Sequence, residues 1–120
     1  MIVSRWMTGW AQGRKVDEVE RTIRRLWLLR CADTPMNMIS GGEKKRVNIG
    51  SEPLTDPVIV LLDEPTSGLN STSAVALMRI LHDLAWDEGK TIITSIHQPS
   101  SAVFFALDAL MLLADGKVVY

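Results

Sequence analysis

Two adjacent glycines, Gly41 and Gly42, lie between Ser40 and Glu43, where the sequence predicts the start of a helix. A serine followed three residues later by a glutamate is typical of a capping box, in which each side chain accepts from the other residue's backbone N–H. Capping explains Ser40 and Glu43 but not the glycines, each of which costs about 1 kcal/mol relative to alanine in a helix. Glycines leave the N–H groups at the positive helix end open to an anion such as phosphate. Capping alone and phosphate binding are therefore both open for this segment.

Two adjacent carboxylates, Asp63 and Glu64, follow the apolar run from Val58 to Leu62. The run predicts a strand buried on both faces, and parallel α/β sheets bind ligands at the carboxyl ends of such strands. Two like charges side by side repel, and a divalent cation would relieve the repulsion. Asp63 would then hold Mg²⁺ through water, and Glu64 would polarise an attacking water. The alternative is a strand that runs into an acidic surface turn.

His97 follows the β-branched segment Thr91 to Ile96, so it also lies at the end of a predicted strand. If the two strands are neighbours, His97 lies beside Asp63. A lone histidine is more often structural than catalytic, and His82, in the middle of a predicted helix, is given no role. The segment Gly89-Lys90-Thr91 imitates the end of a phosphate-binding loop, but it runs from helix into strand and lacks the required earlier glycine.

Periodic apolar residues predict the helices that position these segments. One amphipathic helix is expected from Val16 to Arg30, with its arginines on a solvated face. A second begins at Gly41 and ends near Pro53. A third is capped by Asn70 or Ser71, buries an apolar stripe and stops at Gly89. Its stripe comprises Ala74, Leu77, Met78, Leu81, Leu84 and Ala85.

The strands complete an α/β pattern. Strand, helix and strand with short links between Val58 and Ile96 form a βαβ unit, which requires a parallel sheet. Asp115-Gly116 lies between two apolar runs, residues 109–113 and 117–120, and predicts a C-terminal β-hairpin.

Composition excludes several classes of function. Hydrophobic content of 47% and charged content of 22% are ordinary for a globular chain. Thirteen basic and fourteen acidic residues give a net charge of -1, so no basic surplus indicates a nucleic-acid partner. The single Cys31 cannot form an internal disulfide and fits a reduced setting. No apolar run reaches the roughly 20 residues that a membrane-spanning helix needs. Residues 1–15 match no motif and are expected to be a frayed leader or an artefact of where the chain was taken to begin.

In their order along the chain, these motifs resemble the second half of an ATP-binding cassette (ABC) ATPase. Ile39 to Glu43 is similar to the signature loop, Val58 to Glu64 to the Walker B strand, and Ser67 to Asn70 to the D-loop, while His97 is similar to the switch histidine. The resemblance is closer to the White-type, or G, subfamily, in which the signature ends in Glu and the switch is His-Gln-Pro-Ser. It extends from Val16 to Tyr120.

The resemblance implies an α/β fold that is a partial P-loop NTPase (ABC ATPase) fold, with a parallel sheet, flanking helices and a C-terminal β-hairpin. Residues 16–57 would form part of the helical signature subdomain. Residues 58–120 would form the part of the ATPase core from Walker B to the switch histidine, and residues 1–15 stay unassigned.

The resemblance also implies roles for the site residues. In the family, two nucleotide-binding domains close on two ATP molecules, each held between the Walker motifs of one domain and the signature loop of the other. The residues that would meet the partner's ATP belong to the signature loop: Ser40, Gly41, Gly42 and Glu43. Asp63 would support Mg²⁺, Glu64 would act on the hydrolytic water, and His97 would stabilise the γ-phosphate. Asn70 would lie in the D-loop at the dimer seam.

The implied cofactors are ATP and Mg²⁺. The implied partners are a second nucleotide-binding domain, identical or different, and the transmembrane domain of a full transporter, at the cytoplasmic face of a membrane; no nucleic acid is implied.

Three features depart from the family pattern. No Gly-x-x-x-x-Gly-Lys-Ser/Thr occurs in the sequence, so the phosphate-binding Walker A loop is absent and the isolated chain is expected to turn over no ATP. The absent Walker A strand is expected to leave unpaired backbone edges in the sheet. Asn70 stands where the D-loop usually has Asp, and Pro53 interrupts the helix after the signature.

Three hypotheses follow. The first is the C-terminal portion of a White-type transporter's ATPase domain, as a gene-model fragment or a degenerate copy. The second is a non-catalytic interaction module that completes the ATP site of a partner subunit. The third, a cassette ATPase of the chromosome or repair kind, is disfavoured because Val16 to Arg30 is too short and too basic for the coiled coil that flanks the signature there.

Overall fold

The computed structural model describes residues 12–51 and 57–120, which form a mixed α/β fold. The helices are α1 (Gln12–Arg25), α2 (Gly41–Ser51), α3 (Ser71–Glu88) and α4 (Ser101–Phe104), with a 3-10 turn at Leu29–Cys31. The strands are β1 (Ile59–Asp63), β2 (Thr91–Ser95), β3 (Leu113–Ala114) and β4 (Lys117–Val118).

Helix α1 begins and ends several residues earlier than its periodicity predicts. It stops at Arg25 in a Schellman motif, with Trp27 in the left-handed region at a φ of 56°. The turn buries Leu26 and Leu28 against Ile80 of α3 and leaves Trp27 half exposed. The prediction that the helix continues to Arg30 is therefore wrong, because burying both leucines requires the chain to turn.

Strands β1 and β2 pair in parallel, as the βαβ pattern predicts. The pairing places Asp63 opposite Ser95 at the carboxyl end of the sheet. The chain therefore leaves both strands at the same edge, where parallel sheets place their ligands.

One face of this sheet is covered and the other is not. Val60 is buried, and Leu62 packs against the core cluster that α3 provides. On the opposite face Ile59, Leu61 and Ile93 remain 55%, 72% and 55% exposed. The prediction of a strand buried on both faces is wrong within the described residues, because no described element packs over this second face.

Helix α3 is the central element of the fold. Its predicted stripe is buried except for the half-buried Ala85, and Ile80 is buried as well because it contacts the turn after α1. The side chain of Asn70 caps the helix by accepting from the N–H of Ser73 at 2.8 Å. Gly89 ends it with a φ of 63°, as predicted.

Two further features complete the described fold. Asp115 and Gly116 both have positive φ, 50° and 72°, which is typical of the type I′ turn of a hairpin. The hairpin is confirmed, although its strands β3 and β4 are only two residues long. Helix α4 was not predicted; the hydroxyl of Ser100 caps it by accepting from the N–H of Val103.

Pro53, where the sequence predicts the end of α2, lies outside the described residues. None of the helices within residues 12–51 and 57–120 combines the length and apolar character that a bilayer crossing requires.

Candidate functional site

The two acids sit where β1 ends and the chain turns away. Asp63 is the last residue of β1, and Glu64 follows it with a φ of 42°. This left-handed conformation is uncommon for a residue other than glycine. The N–H of Glu64 donates to the hydroxyl of Ser95 at 2.9 Å, and that hydroxyl donates to Asp63 Oδ1 at 2.5 Å. The acidic pair is exposed, is followed by a turn, and is tied to the neighbouring strand through Ser95.

A cavity of about 330 Å³ lies between the loop after β1 and the loop after β2. Glu64 lines it from the first loop and His97 from the second. Other polar residues of the two loops and of the adjoining helix starts also line it: Thr66, Ser67, Ser71, Gln98 and Ser100. The structure therefore brings together two of the residues that the sequence singled out, while Asp63 lies on the uncovered sheet face and does not line the cavity.

The capping box at the start of α2 is formed as predicted. The N–H and the hydroxyl of Ser40 both donate to Glu43 Oε2, at 2.8 Å and 2.7 Å. The N–H of Glu43 donates back to the Ser40 hydroxyl at 3.3 Å. The hydrogen bonds from Ser40, first from its hydroxyl and then from its backbone, lower the pKa of the Glu43 carboxyl. Both side chains are thus accounted for by capping.

The two glycines have different surroundings. A Cβ added at Gly42 would lie 3.2 Å from Ser73 Oγ and 3.3 Å from Ser73 Cβ, so this glycine allows α2 to approach the start of α3. A Cβ added at Gly41 would meet no heavy atom within 4 Å. Packing against Ser73 is therefore a reason for a glycine at position 42. No such reason applies to Gly41, whose backbone is open to an anion.

This difference predicts that alanine is tolerated better at Gly41 than at Gly42. We expect Gly41→Ala to raise the free energy of unfolding by up to about 1 kcal/mol, because alanine favours the helix and nothing obstructs it. We expect Gly42→Ala to be less stable than Gly41→Ala by about 1–2 kcal/mol, because its methyl group crowds Ser73. Urea unfolding of both variants measures the difference.

The double variant Gly42→Ala with Ser73→Gly is the control for that prediction. The single variant Ser73→Gly measures the cost of a glycine in the first turn of α3. The double variant should be more stable than the sum of the two single changes predicts, which gives a coupling energy in a double-mutant cycle. Equal stabilities of the two single alanine variants would show that Gly42 does not serve packing.

The signature residues and the cavity are separate parts of the described chain. None of residues 40–43 lines the cavity. Asn70, expected at a dimer seam, has its Oδ1 engaged by the N–H of Ser73 in capping α3. Capping is a sufficient local reason for an amide side chain at this position.

Lys90 does not belong to a phosphate-binding loop. Its buried Nζ lies 3.1 Å from Glu88 Oε2 and 3.4 Å from the carbonyl of Pro57, at the amino end of β2. Glu88 also pairs with Arg25 of α1. The expectation that Arg25 is simply solvated is therefore wrong, because this residue connects α1 to the end of α3.

The acidic pair could hold Mg²⁺ only if water and phosphate supplied the other ligands. The described part of the chain contains no group of three or more His, Cys, Asp or Glu side chains that could hold a metal ion. Asp63 and Glu64 supply oxygen donors of the kind Mg²⁺ prefers. Mg²⁺ commonly binds one or two carboxylates and takes its other ligands from water and phosphate, so the acidic pair is compatible with such a site.

Ser95 is the residue at this site that the sequence pattern did not single out. Its signal is the alternation of the strand: Ile93 and Ser95 share a face, and the parallel register sets Ser95 beside Asp63. Ser95 can be recognised only when the pairing register of β1 and β2 is known, and motif spacing alone does not give that register.

Comparison with known proteins identifies the family. A family model described as ABC transporter matches residues 3–67, which is more than half of the chain. The chain belongs to the ABC transporter family. The match begins within residues 1–15, which the motifs had left unassigned.

The curated relatives of this ABC transporter chain confirm the White-type, or G, resemblance. ABC transporter G family member 22 of Arabidopsis thaliana is 50% identical over 103 residues, which cover 82% of this chain and 14% of the relative. ABC transporter G family member 11 of the same plant is 52% identical over 107 residues, covering 85% and 15%. The chain thus spans about one seventh of the length of these relatives.

Solved structures confirm the cassette fold. cbiO1 from Clostridium perfringens, part of the ABC transporter complex cbiONQ, matches with a TM-score of 0.85 and 26% identity over 96% of this chain and 45% of its own. A dimeric bacterial ABC transporter cassette matches with a TM-score of 0.74 and 27% identity over 92% and 47%. The ABC chain described here therefore corresponds to about half of a cassette.

Proposed function

We propose that this chain is the portion of a White-type transporter's ATPase domain that extends from the signature helix to the switch histidine. Residues 16–57 belong to the signature subdomain and residues 58–120 to the ATPase core. In the whole protein, ATP hydrolysis at the cytoplasmic face of a membrane drives export. The observation that carries the proposal is the shared cavity of Glu64 and His97 at the ends of two parallel strands.

The position of each group supports a role for it in the proposed function. Asp63 would hold Mg²⁺ through water, and the ion, when bound, would neutralise charge on the transferred phosphoryl group. Glu64 orients a water and accepts its proton; this role is supported by its being an acidic residue that lines the cavity. His97 donates a hydrogen bond to a phosphate oxygen as negative charge develops there.

The signature loop acts on a second nucleotide. The backbone at Gly41 is open at the start of α2 and lies away from the cavity. A helix start of this kind favours an anion held by another subunit. The support for a second domain is the dimeric cassette structure, which matches over 92% of this chain.

The experiment that tests the proposal is a chimera. Residues 16–120 replace the homologous segment of a White-type half-transporter that retains its own phosphate-binding loop, and ATP turnover is measured in detergent or liposomes. We expect turnover within about tenfold of the parent, because the imported segment supplies the Walker B acids, the histidine and the signature helix. The 120-residue chain alone should show no turnover above buffer.

A folded, assembled chimera without turnover would contradict the proposed function. Turnover by the 120-residue chain alone, with no partner added, would contradict the dependence on a phosphate-binding loop.

The formed capping box and the open Gly41 also support the second candidate, a module that completes a partner's ATP site. The 120-residue chain would then co-purify with a White-type half-transporter in the presence of ATP. Gly41→Asp should abolish that association, because a carboxylate would repel the nucleotide's phosphate. Absence of association under every nucleotide condition would end this candidate.

A further inference from the structure

Ser95 makes two hydrogen bonds at once with the acidic pair. Its hydroxyl donates to Asp63 Oδ1 at 2.5 Å and accepts from the N–H of Glu64 at 2.9 Å. A hydroxyl has one proton to donate, and here that proton goes to the Asp63 carboxylate. The short O–H···O distance is typical of a charge-assisted bond, which is stronger than a neutral one.

The position of Ser95 is fixed by the register of the sheet. Asp63 and Ser95 are partners in the parallel ladder, so their side chains project from the same face. That face also carries Leu61 and Ile93, which remain exposed. The contact between serine and acid therefore follows from the strand pairing and not from a mobile loop.

The second hydrogen bond supports an unusual backbone conformation. Glu64 follows β1 with a φ of 42°, a backbone conformation that residues other than glycine rarely adopt. Its N–H has left the strand ladder, and the Ser95 hydroxyl accepts from it in place of a carbonyl. In this conformation Glu64 lines the cavity, and His97 lines it as well.

We propose that Ser95 is a positioning residue for the Asp63–Glu64 pair. Its hydroxyl holds the Asp63 carboxylate at the sheet edge and keeps the Glu64 backbone in the conformation that places its carboxylate in the cavity. The inference rests on the proposed function, because the placement of the two carboxylates matters only if they act on a cation and a water.

The experiment uses the 120-residue chain and two variants of equal shape, Ser95→Thr and Ser95→Val. Both are β-branched and favoured in strands, and they differ by the hydroxyl alone. Thr91→Val is the matched control, since it removes a hydroxyl from the other end of the same strand, opposite Ile59. Thermal melting establishes that all four proteins are folded.

Two properties are measured by NMR in each protein. The first is the hydrogen exchange rate of the Glu64 amide. The second is the Mn²⁺ concentration that half-broadens the signals of Asp63 and Glu64, with Mn²⁺ as the probe for a divalent cation. In Ser95→Val we expect exchange to rise about tenfold and the half-broadening concentration to rise about fivefold. Ser95→Thr and Thr91→Val should match the wild type in both.

Three other outcomes of these measurements would count against the inference. Unchanged exchange in Ser95→Val overturns the inference, because Ser95 then does not hold Glu64. Faster exchange with an unchanged Mn²⁺ titration also overturns it, because Ser95 is then merely structural. Failure of the wild type to show Mn²⁺ broadening at the pair overturns the inference, because Ser95 then positions no cation site in this chain. The proposed function, in which phosphate supplies further ligands to the ion, is tested separately by turnover of the chimera.

Discussion

Replacing Glu64 by glutamine in the chimera is expected to lower ATP turnover by about 10²–10⁴-fold, the range that general bases contribute. The variant keeps the shape of the side chain and the backbone N–H that donates to Ser95, so the fold should be unaffected. Glutamine cannot accept a proton from the attacking water, so the chemical step slows while ATP remains bound. Turnover and equilibrium binding of ATP, measured on the same preparation, separate the two effects.

Asp87→Asn is the control for Glu64→Gln. Asp87 is exposed near the end of α3 and does not line the cavity, so removing its charge tests whether any loss of acidity lowers turnover. We expect Asp87→Asn to leave turnover within about twofold of the parent chimera. Turnover in Glu64→Gln that equals this control would exclude Glu64 as the group that acts on water.

Local chemistry made several features of this fold predictable from the sequence. Ser40 and Glu43 bond to each other across three residues, so their spacing alone predicts the capping box. Asp115-Gly116 has the residue types that a type I′ turn demands. The parallel sheet follows because a strand, a helix and a strand with short links admit one arrangement.

Features that depend on distant contacts were not predictable in the same way. Helix α1 ends early because Leu26 and Leu28 are buried against Ile80, more than fifty residues away. The uncovered sheet face could not be foreseen from the apolar run, which is equally compatible with burial on both sides. Ser95 becomes visible only when the register places it beside Asp63.

The candidate site also combines features that the sequence predicts with features that only the structure reveals. Its acids and its histidine were found because strand ends in parallel sheets collect functional groups. The roles of the two glycines could not be separated by sequence, since Gly41 and Gly42 are adjacent and identical in type. The structure separates them, because Ser73 crowds one and nothing approaches the other. A variant at Gly41 can therefore test function without disturbing packing.

Replacing Gly41 by aspartate in the chimera is expected to lower ATP turnover at least about 100-fold, because in the proposed function a carboxylate there would face a phosphate of the partner's ATP. The same change should not destabilise the fold. A Cβ at Gly41 meets nothing within 4 Å, and an acidic side chain in the first turn of a helix is favourable to its dipole. Thermal melting together with turnover distinguishes this functional loss from unfolding, and Gly41→Ala is the control for side-chain size.

Mixing this variant with Glu64→Gln tests whether the signature loop serves the opposite subunit. In a chimera that self-pairs, each mixed dimer has one site in which an intact Glu64 faces an intact Gly41, and one site in which both are altered. Random pairing makes half of the dimers mixed, so turnover should recover to about a quarter of the parent value. If both residues served the ATP of their own subunit, every site would carry one defect. Turnover that stays at the level of the separate variants would then show that Gly41 and Glu64 of one subunit serve the same nucleotide. That result would contradict the paired arrangement.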